Sequence, residues 1–116
     1  MTKHVTEMVK TVKSYYATIH MAGDIHLAKN IAQQWAMKGA CVQFSPVTYV
    51  YKGGREEGFT ARFINYPRFP KEDSVIYSDA HELAEKLVDA LGQLSYTIET
   101  SNGTVYFERP GANKAK

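Results

Sequence analysis

The chain has 116 residues, 44% of them hydrophobic and 22% charged, the size and make-up of one globular domain that buries a core without disulfide or metal staples. Its 14 basic and 12 acidic residues leave a net charge of +2, too little to argue by itself for nucleic-acid or membrane binding. The single Cys41 excludes an intrachain disulfide framework and fits a reducing compartment.

From Met1 to Lys13 charge is spread throughout and there is no apolar h-region, so no signal peptide is read there. No apolar run approaches the roughly 18 residues that span a bilayer. The expected location is the cytoplasm, and no membrane partner is expected. Val5, Met8, Val9 and Val12 nevertheless fall at i, i+3, i+4 and i+7, a helical stripe. Without a firm cap, residues 1–12 read as a short helix, a frayed lead-in or a partner-binding segment.

Lys13 to Met21 alternates. Tyr15, Ala17, Ile19 and Met21 point one way, and Tyr16, Thr18 and His20 the other, as in a half-buried strand. Ala22-Gly23-Asp24 breaks it, and Asp24 is a good N-cap for a helix from about Ile25 to Lys38. Ala28, Ile31, Ala32 and Trp35 form the apolar stripe of that helix, and Gly39 follows it.

Ala40 to Lys52 and Glu56 to Asn65 read as a long hairpin about Gly53-Gly54. A two-residue loop there pairs Phe44 with Phe63, Pro46 with Ala61 and Thr48 with Phe59. On the opposite face it pairs Ser45 with Arg62 and Val47 with Thr60, and lays Tyr49 over Gly58. Pro46 cannot donate to a ladder, which assigns this strand to an edge. Tyr66-Pro67-Arg68-Phe69-Pro70 is a stiff connector, and Lys71-Glu72-Asp73 a charged loop.

The second helix starts at Ser78 as N-cap, with Asp79 and Glu82 in its first turn. Ala80, Leu83, Ala84, Leu87, Val88 and Leu91 keep the helical period, and Gly92 ends it. Ser95 to Thr100, Asn102-Gly103 and Thr104 to Glu108 form a second hairpin. The domain closes at residue 109, and 110–116 read as a disordered tail. The order β-α-β-β-α-β-β gives an α+β, ferredoxin-like two-layer sandwich: an antiparallel sheet with both helices on one face. The first and third strands are then central, and the last extends the edge opposite Pro46.

The helices cover one face of the sheet. The other carries Tyr16, Thr18, His20, Ser45, Val47, Tyr49, Tyr51, Thr60, Arg62, Ile64, Thr97, Glu99 and Tyr106. Three readings stay open for it: a solvated face with ordinary cross-strand pairs, a homo-oligomer or partner interface, or a nucleic-acid platform. RNA-recognition motifs share this topology, and Gly58-Phe59-Thr60-Ala61-Arg62-Phe63 is loosely like their longer motif. Ala61 replaces a stacking aromatic, however, Glu57 stands where a basic residue is expected, and Phe59 and Phe63 face the helices.

The proline segment reads as a rigid link whose Tyr66 and Phe69 cap the core, or as a tip that presents Arg68 to an acidic or phosphate group. His20, His26 and His81, with Asp24, Asp79 and Glu82, have the chemistry for metal or acid–base work. Their spacing forms no constellation, and no HExxH, CxxC or phosphate-loop motif occurs. No catalytic residue, metal or cofactor is expected. The candidate binding residues are Tyr16, His20, Tyr49, Tyr51, Arg62, Tyr66, Arg68 and Phe69.

Four phrases, Ile19-His20-Met21-Ala22-Gly23-Asp24, Tyr49-Val50-Tyr51-Lys52-Gly53-Gly54, Ile64-Asn65-Tyr66-Pro67-Arg68-Phe69-Pro70 and Leu83-Ala84-Glu85-Lys86-Leu87, are together similar to small proteins of bacteriophages and prophages. The resemblance runs over about residues 15 to 108. It brings no activity and no catalytic residues, and it implies an accessory factor that binds a host protein or a nucleotide messenger. The reading is therefore a non-enzymatic protein that binds a host protein through the open face or the Tyr66-to-Pro70 loop, with a homodimer admitted. An RNA or single-stranded DNA module and a nucleotide or small-molecule binder with an inter-subunit pocket are the alternatives.

Overall fold

Alternation of apolar and polar residues sets the layers. The computed structural model describes residues 4–111. Its elements are β1 (Tyr16–Ala22), α1 (Ile25–Trp35) with a 3-10 turn at Ala36–Lys38, β2 (Gln43–Tyr51), β3 (Gly54–Ile64), α2 (Asp73–Ala90), β4 (Ser95–Thr100) and β5 (Gly103–Glu108). The strands form one antiparallel sheet in the order β2-β3-β1-β4-β5. This is the expected α+β sandwich, with Pro46 on the edge strand β2 and β5 on the other edge. Among the described residues, no helix is long and apolar enough to cross a membrane.

The core lies between the helices and one sheet face. Ile19, Phe59, Leu83, Leu87 and Ile98 are its largest fully buried side chains, each stabilising the fold by about 1.5–3 kcal/mol through burial. Trp35 meets Phe63 edge-on, with ring centroids 5.8 Å apart. The Trp35 indole N–H donates to Glu82 Oε1 at 2.7 Å, and Lys38 Nζ donates to the same oxygen at 2.7 Å. Those two donors hold the Glu82 carboxyl below its ordinary value, Lys38 foremost.

Asp24 caps α1 as its chemistry predicts: Oδ1 accepts from the His26 amide at 2.8 Å. Asp24→Ala is expected to cost about 1 kcal/mol, read as a Tm lower by roughly 5 °C.

Three expectations are corrected, and of the alternatives open for residues 1–12 the helix drops out: the stripe at Val5, Met8, Val9 and Val12 does not make one. Residues 4–15 carry no helical turn, and Val5, Met8 and Val9 stand fully in water. An isolated helix this short is marginal in water without a face to pack on. Residues 1–3, and the part of the expected tail at 112–116, lie outside the described residues.

The long hairpin turns at Lys52-Gly53, one position earlier than expected, which slips the pairing by two residues. Phe44 faces Ala61, Pro46 faces Phe59, and Tyr49 faces Glu56. Gly53 takes φ +90° while Lys52 does not go positive; that combination needs glycine at the second central position, as in a type II turn. A slip of two keeps every side chain on its face.

The second helix begins at Asp73, with Glu72 in the N-cap position, six residues before the expected N-cap Ser78. Buried Ile76 continues the stripe of Ala80 and Leu83 back by a turn. Asp79 is thus not a first-turn acid. It is buried, with Lys71 Nζ at 2.8 Å from Oδ2 and Lys38 Nζ at 3.5 Å from Oδ1.

The second hairpin turns at Ser101-Asn102, since Thr100 pairs with Gly103. Thr100 Oγ1 accepts from the Asn102 and Gly103 amides at 3.0 and 3.2 Å, and this side-chain clamp selects the turn.

Candidate functional site

The register places three open-face residues side by side. His20 of β1 pairs with Thr97 of β4, and Thr97 pairs with Tyr106 of β5. On the other side of β1, Tyr49 of β2 faces Glu56 of β3. Between these two sets lies a cleft of about 540 Å³ at the C-terminal end of β1. Its walls are His20, Met21 and Ala22, then Tyr49 and Glu56, and across from them Gly92 to Thr97 with Tyr106.

Gly58 makes the Tyr49 side of this cleft. It has no side chain, and Tyr49 Cε2 lies only 2.8 Å from where a Cβ would stand. The ring therefore lies across β3, and its hydroxyl donates to the Phe59 carbonyl at 2.9 Å. Burial pushes the Tyr49 hydroxyl above the ordinary tyrosine value, so it stays a neutral donor. Tyr96 behaves likewise: burial first, then the Glu85 carboxylate that accepts its hydrogen bond, push its hydroxyl strongly up.

The polar lining is mixed: His20, Gln93, Ser95, Thr97, three tyrosines and one carboxylate, Glu56, with two further carboxylates held behind His20 and Tyr106. His20 Nε2 lies 2.9 Å from Glu99 Oε1. Tyr106, 60% exposed, donates its hydroxyl to Glu108 Oε2 at 2.8 Å. Glu56 lines the cleft itself, with the Tyr51 hydroxyl 3.4 Å from Oε1. Aromatic faces beside negative charge suit a cation that carries an aromatic group.

The residues expected to bind are not all in one place. His20 and Tyr49 line the cleft, and Tyr51 joins its rim through Glu56. Tyr16 and Arg62 sit further along the same face, the guanidinium 5.0 Å from the ring centroid. Tyr66, Arg68 and Phe69 are at the opposite end of the sheet, because Ile64 pairs with Tyr16 at the start of β1. Tyr66 is partly buried and its hydroxyl accepts from Gln43 Nε2 at 3.3 Å. Phe69 does not cap the core: it is 65% exposed, with Arg68 5.3 Å from its ring centroid. Phe59 and Phe63 are buried on the helix side and offer no base-stacking surface.

Sequence reasoning left Glu56, Gln93, Thr97, Glu99 and Tyr106 out of the site. Thr97, Glu99 and Tyr106 already stood on the open face. Glu56 was legible by stepping back in twos from Arg62. Gln93 had no such signal, because it lies in a loop.

No family model and no curated protein matches the chain. Among solved structures it is similar to a phage SAM lyase in its apo state, with TM-score 0.70 and 14% identity over 90% of this chain and 97% of that one. It is also similar to a phage SAM lyase in complex with S-methyl-5′-thioadenosine, with TM-score 0.65 and 11% identity over 92% and 97% of the two chains. At these identities the likeness is one of fold. It agrees with the resemblance to phage proteins, and it corrects two expectations. The reading as a non-enzymatic binding protein is overturned, because the neighbours that share this fold are enzymes. The phage proteins it is like are also not without a known activity.

Proposed function

We propose that the chain is a lyase that cleaves S-adenosylmethionine and releases S-methyl-5′-thioadenosine in the cleft at the end of β1. The observation that carries this reading is the likeness to phage SAM lyase across nine-tenths of the chain, with the thioadenosine bound in one of the two structures. The chemistry of the cleft supports it. S-adenosylmethionine is a sulfonium cation on a nucleoside. Glu56 and the Glu99 carboxylate behind His20 supply negative potential, and the Tyr49 and Tyr106 rings offer flat faces for adenine or for the sulfonium.

To leave S-methyl-5′-thioadenosine, the bond between sulfur and Cγ of the methionine part must break. The electron pair stays on sulfur, which turns from a cation into a neutral thioether. The four-carbon fragment makes good its deficit internally. Either its own carboxylate closes on Cγ, or a base removes a proton from Cβ and a double bond forms. Neither route consumes water. Glu56 and His20 are the groups in the cleft able to accept that proton.

The test is direct. Purified protein incubated with S-adenosylmethionine is expected to release S-methyl-5′-thioadenosine, detected by chromatography. In H2(18)O the amino-acid fragment is expected to leave the enzyme without 18O. Absence of the thioadenosine at micromolar enzyme over hours would sink the reading, and direct 18O capture at Cγ would make the protein a hydrolase.

A further inference from the structure

The wall of the cleft formed by Gly92, Gln93 and Leu94 belongs to no helix or strand. It begins where α2 ends. Gly92 takes φ +65°, its amide donates to Asp89 O at 3.2 Å, and the Gln93 amide donates to Val88 O at 2.9 Å. This is a Schellman ending. It still leaves carbonyls that face out of the helix end and need donors.

Arg109, the residue after β5, braces the ending from outside, adding a second donor to Val88 O and binding the loop carbonyl of Gln93. Its Nε donates to Gln93 O at 2.8 Å, and its Nη2 to Val88 O at 3.0 Å. Nη2 also lies 3.5 Å from Asp89 Oδ1. Its backbone N–H donates to Leu94 O at 2.8 Å. One residue therefore ties down the carbonyls on both sides of Gly92. A cation is also favoured at the C-terminal end of a helix dipole. The side chain does this from behind. Arg109 borders the shallow depression with Glu85 and Phe107 and is not among the residues that line the cleft.

We propose that Arg109 is a positioning residue for the cleft: through the Gln93 and Val88 carbonyls it holds the wall against which the ligand sits, without touching the ligand. The inference rests on the reading of the cleft as the S-adenosylmethionine site. Its structural half, the hold on the wall, does not. The planar fork of arginine spans two carbonyls at once, which a lysine ammonium on its flexible stem does not. A wall that is merely held in place binds substrate and transition state alike. Its loss therefore appears in KM and not in kcat.

The experiment compares wild type, Arg109→Lys and Arg109→Ala, with Thr100→Ala, which loses the clamp on the β4–β5 turn at the other end of the sheet, as a control destabilised elsewhere. Two readouts are taken: amide exchange at Gly92 and Gln93, and steady-state kinetics of S-adenosylmethionine cleavage. In both Arg109 variants exchange at these two amides is expected to quicken on the order of tenfold, with the core amides of α2 unchanged. KM is expected to rise on the order of tenfold with kcat within about twofold. Free guanidinium ion is expected to restore KM in Arg109→Ala and not in Arg109→Lys. Thr100→Ala is expected to leave KM as in wild type. Unchanged exchange at Gly92 and Gln93 overturns the hold on the wall, and unchanged KM with quickened exchange overturns its link to the ligand. If the wild type itself releases no thioadenosine, the reading of the cleft fails, while the exchange result still decides whether Arg109 holds the wall. Should Arg109→Ala fail to fold, Arg109→Lys carries both measurements.

Discussion

Glu56→Gln is expected to lower kcat/KM for S-adenosylmethionine cleavage by about 100-fold, a loss typical of removing one preorganised charge or donor from an active site. Three carboxylates stand near the cleft, and two are occupied. Glu99 holds His20 at 2.9 Å, and Glu108 accepts from Tyr106 at 2.8 Å. Glu56 lines the cleft, and among the described residues its side-chain hydrogen-bond partner is the Tyr51 hydroxyl, at 3.4 Å. At an effective dielectric of about 20, opposite charges about 4 Å apart attract by about 4 kcal/mol. The glutamine keeps the shape and removes the charge. How the loss divides identifies the role. The charge on sulfur fades as the C–S bond breaks, so a counter-ion to the sulfonium favours bound substrate over the transition state, and its loss raises KM. A base for the Cβ proton is needed only in the transition state, and its loss lowers kcat. An unchanged kcat/KM removes Glu56 from the site.

That Glu56 is the residue in question illustrates what a sequence of this kind discloses. Period-two alternation assigned the faces of every strand, and those assignments survive a hairpin register wrong by two residues, because two is the side-chain period. The same slip hid the neighbour of Tyr49. With the turn at Gly53-Gly54, Tyr49 lies opposite Gly58; with the turn at Lys52-Gly53, it lies opposite Glu56. Glu56 faces a tyrosine in both cases, Tyr51 in the first and Tyr49 in the second. Cap chemistry misled at α2 in a similar way. Ser78 is a better N-cap than Glu72, yet burying Ile76 against the sheet outweighs a capping bond of about 1 kcal/mol. The two-layer fold is written in local periodicity and was legible. The cleft is assembled from residues of all five strands and the loop after α2, and no local pattern announces it.

Gly58→Ala is expected to destabilise the fold by about 3 kcal/mol and to lower Tm by roughly 10–20 °C. The sign is not the usual one for this substitution. Gly58 does not take a positive φ, and where alanine fits without strain the exchange stabilises by about 0.4–1 kcal/mol by restricting the unfolded chain. Here a Cβ collides with the Met21 carbonyl oxygen and stands 2.8 Å from Ala22 Cα and from Tyr49 Cε2. Only the last of these belongs to a side chain that can swing away. The other two are backbone of β1 at Met21 and Ala22, which pair with Phe59 and Gly58 of β3. Relief therefore requires β1 and β3 to part at the mouth of the cleft, while the Tyr49 ring is driven from its place across β3. A double-mutant cycle separates the two costs. If the clash is mainly with backbone, removing the ring by Tyr49→Ala is expected to recover less than about 1 kcal/mol of the loss. Recovery of most of it would mean that β1 yields and that the ring alone excludes a side chain at Gly58. In either case Gly58→Ala is expected to lose the binding wall along with stability, because the absent side chain that lets two strands approach is also what lets Tyr49 lie over them.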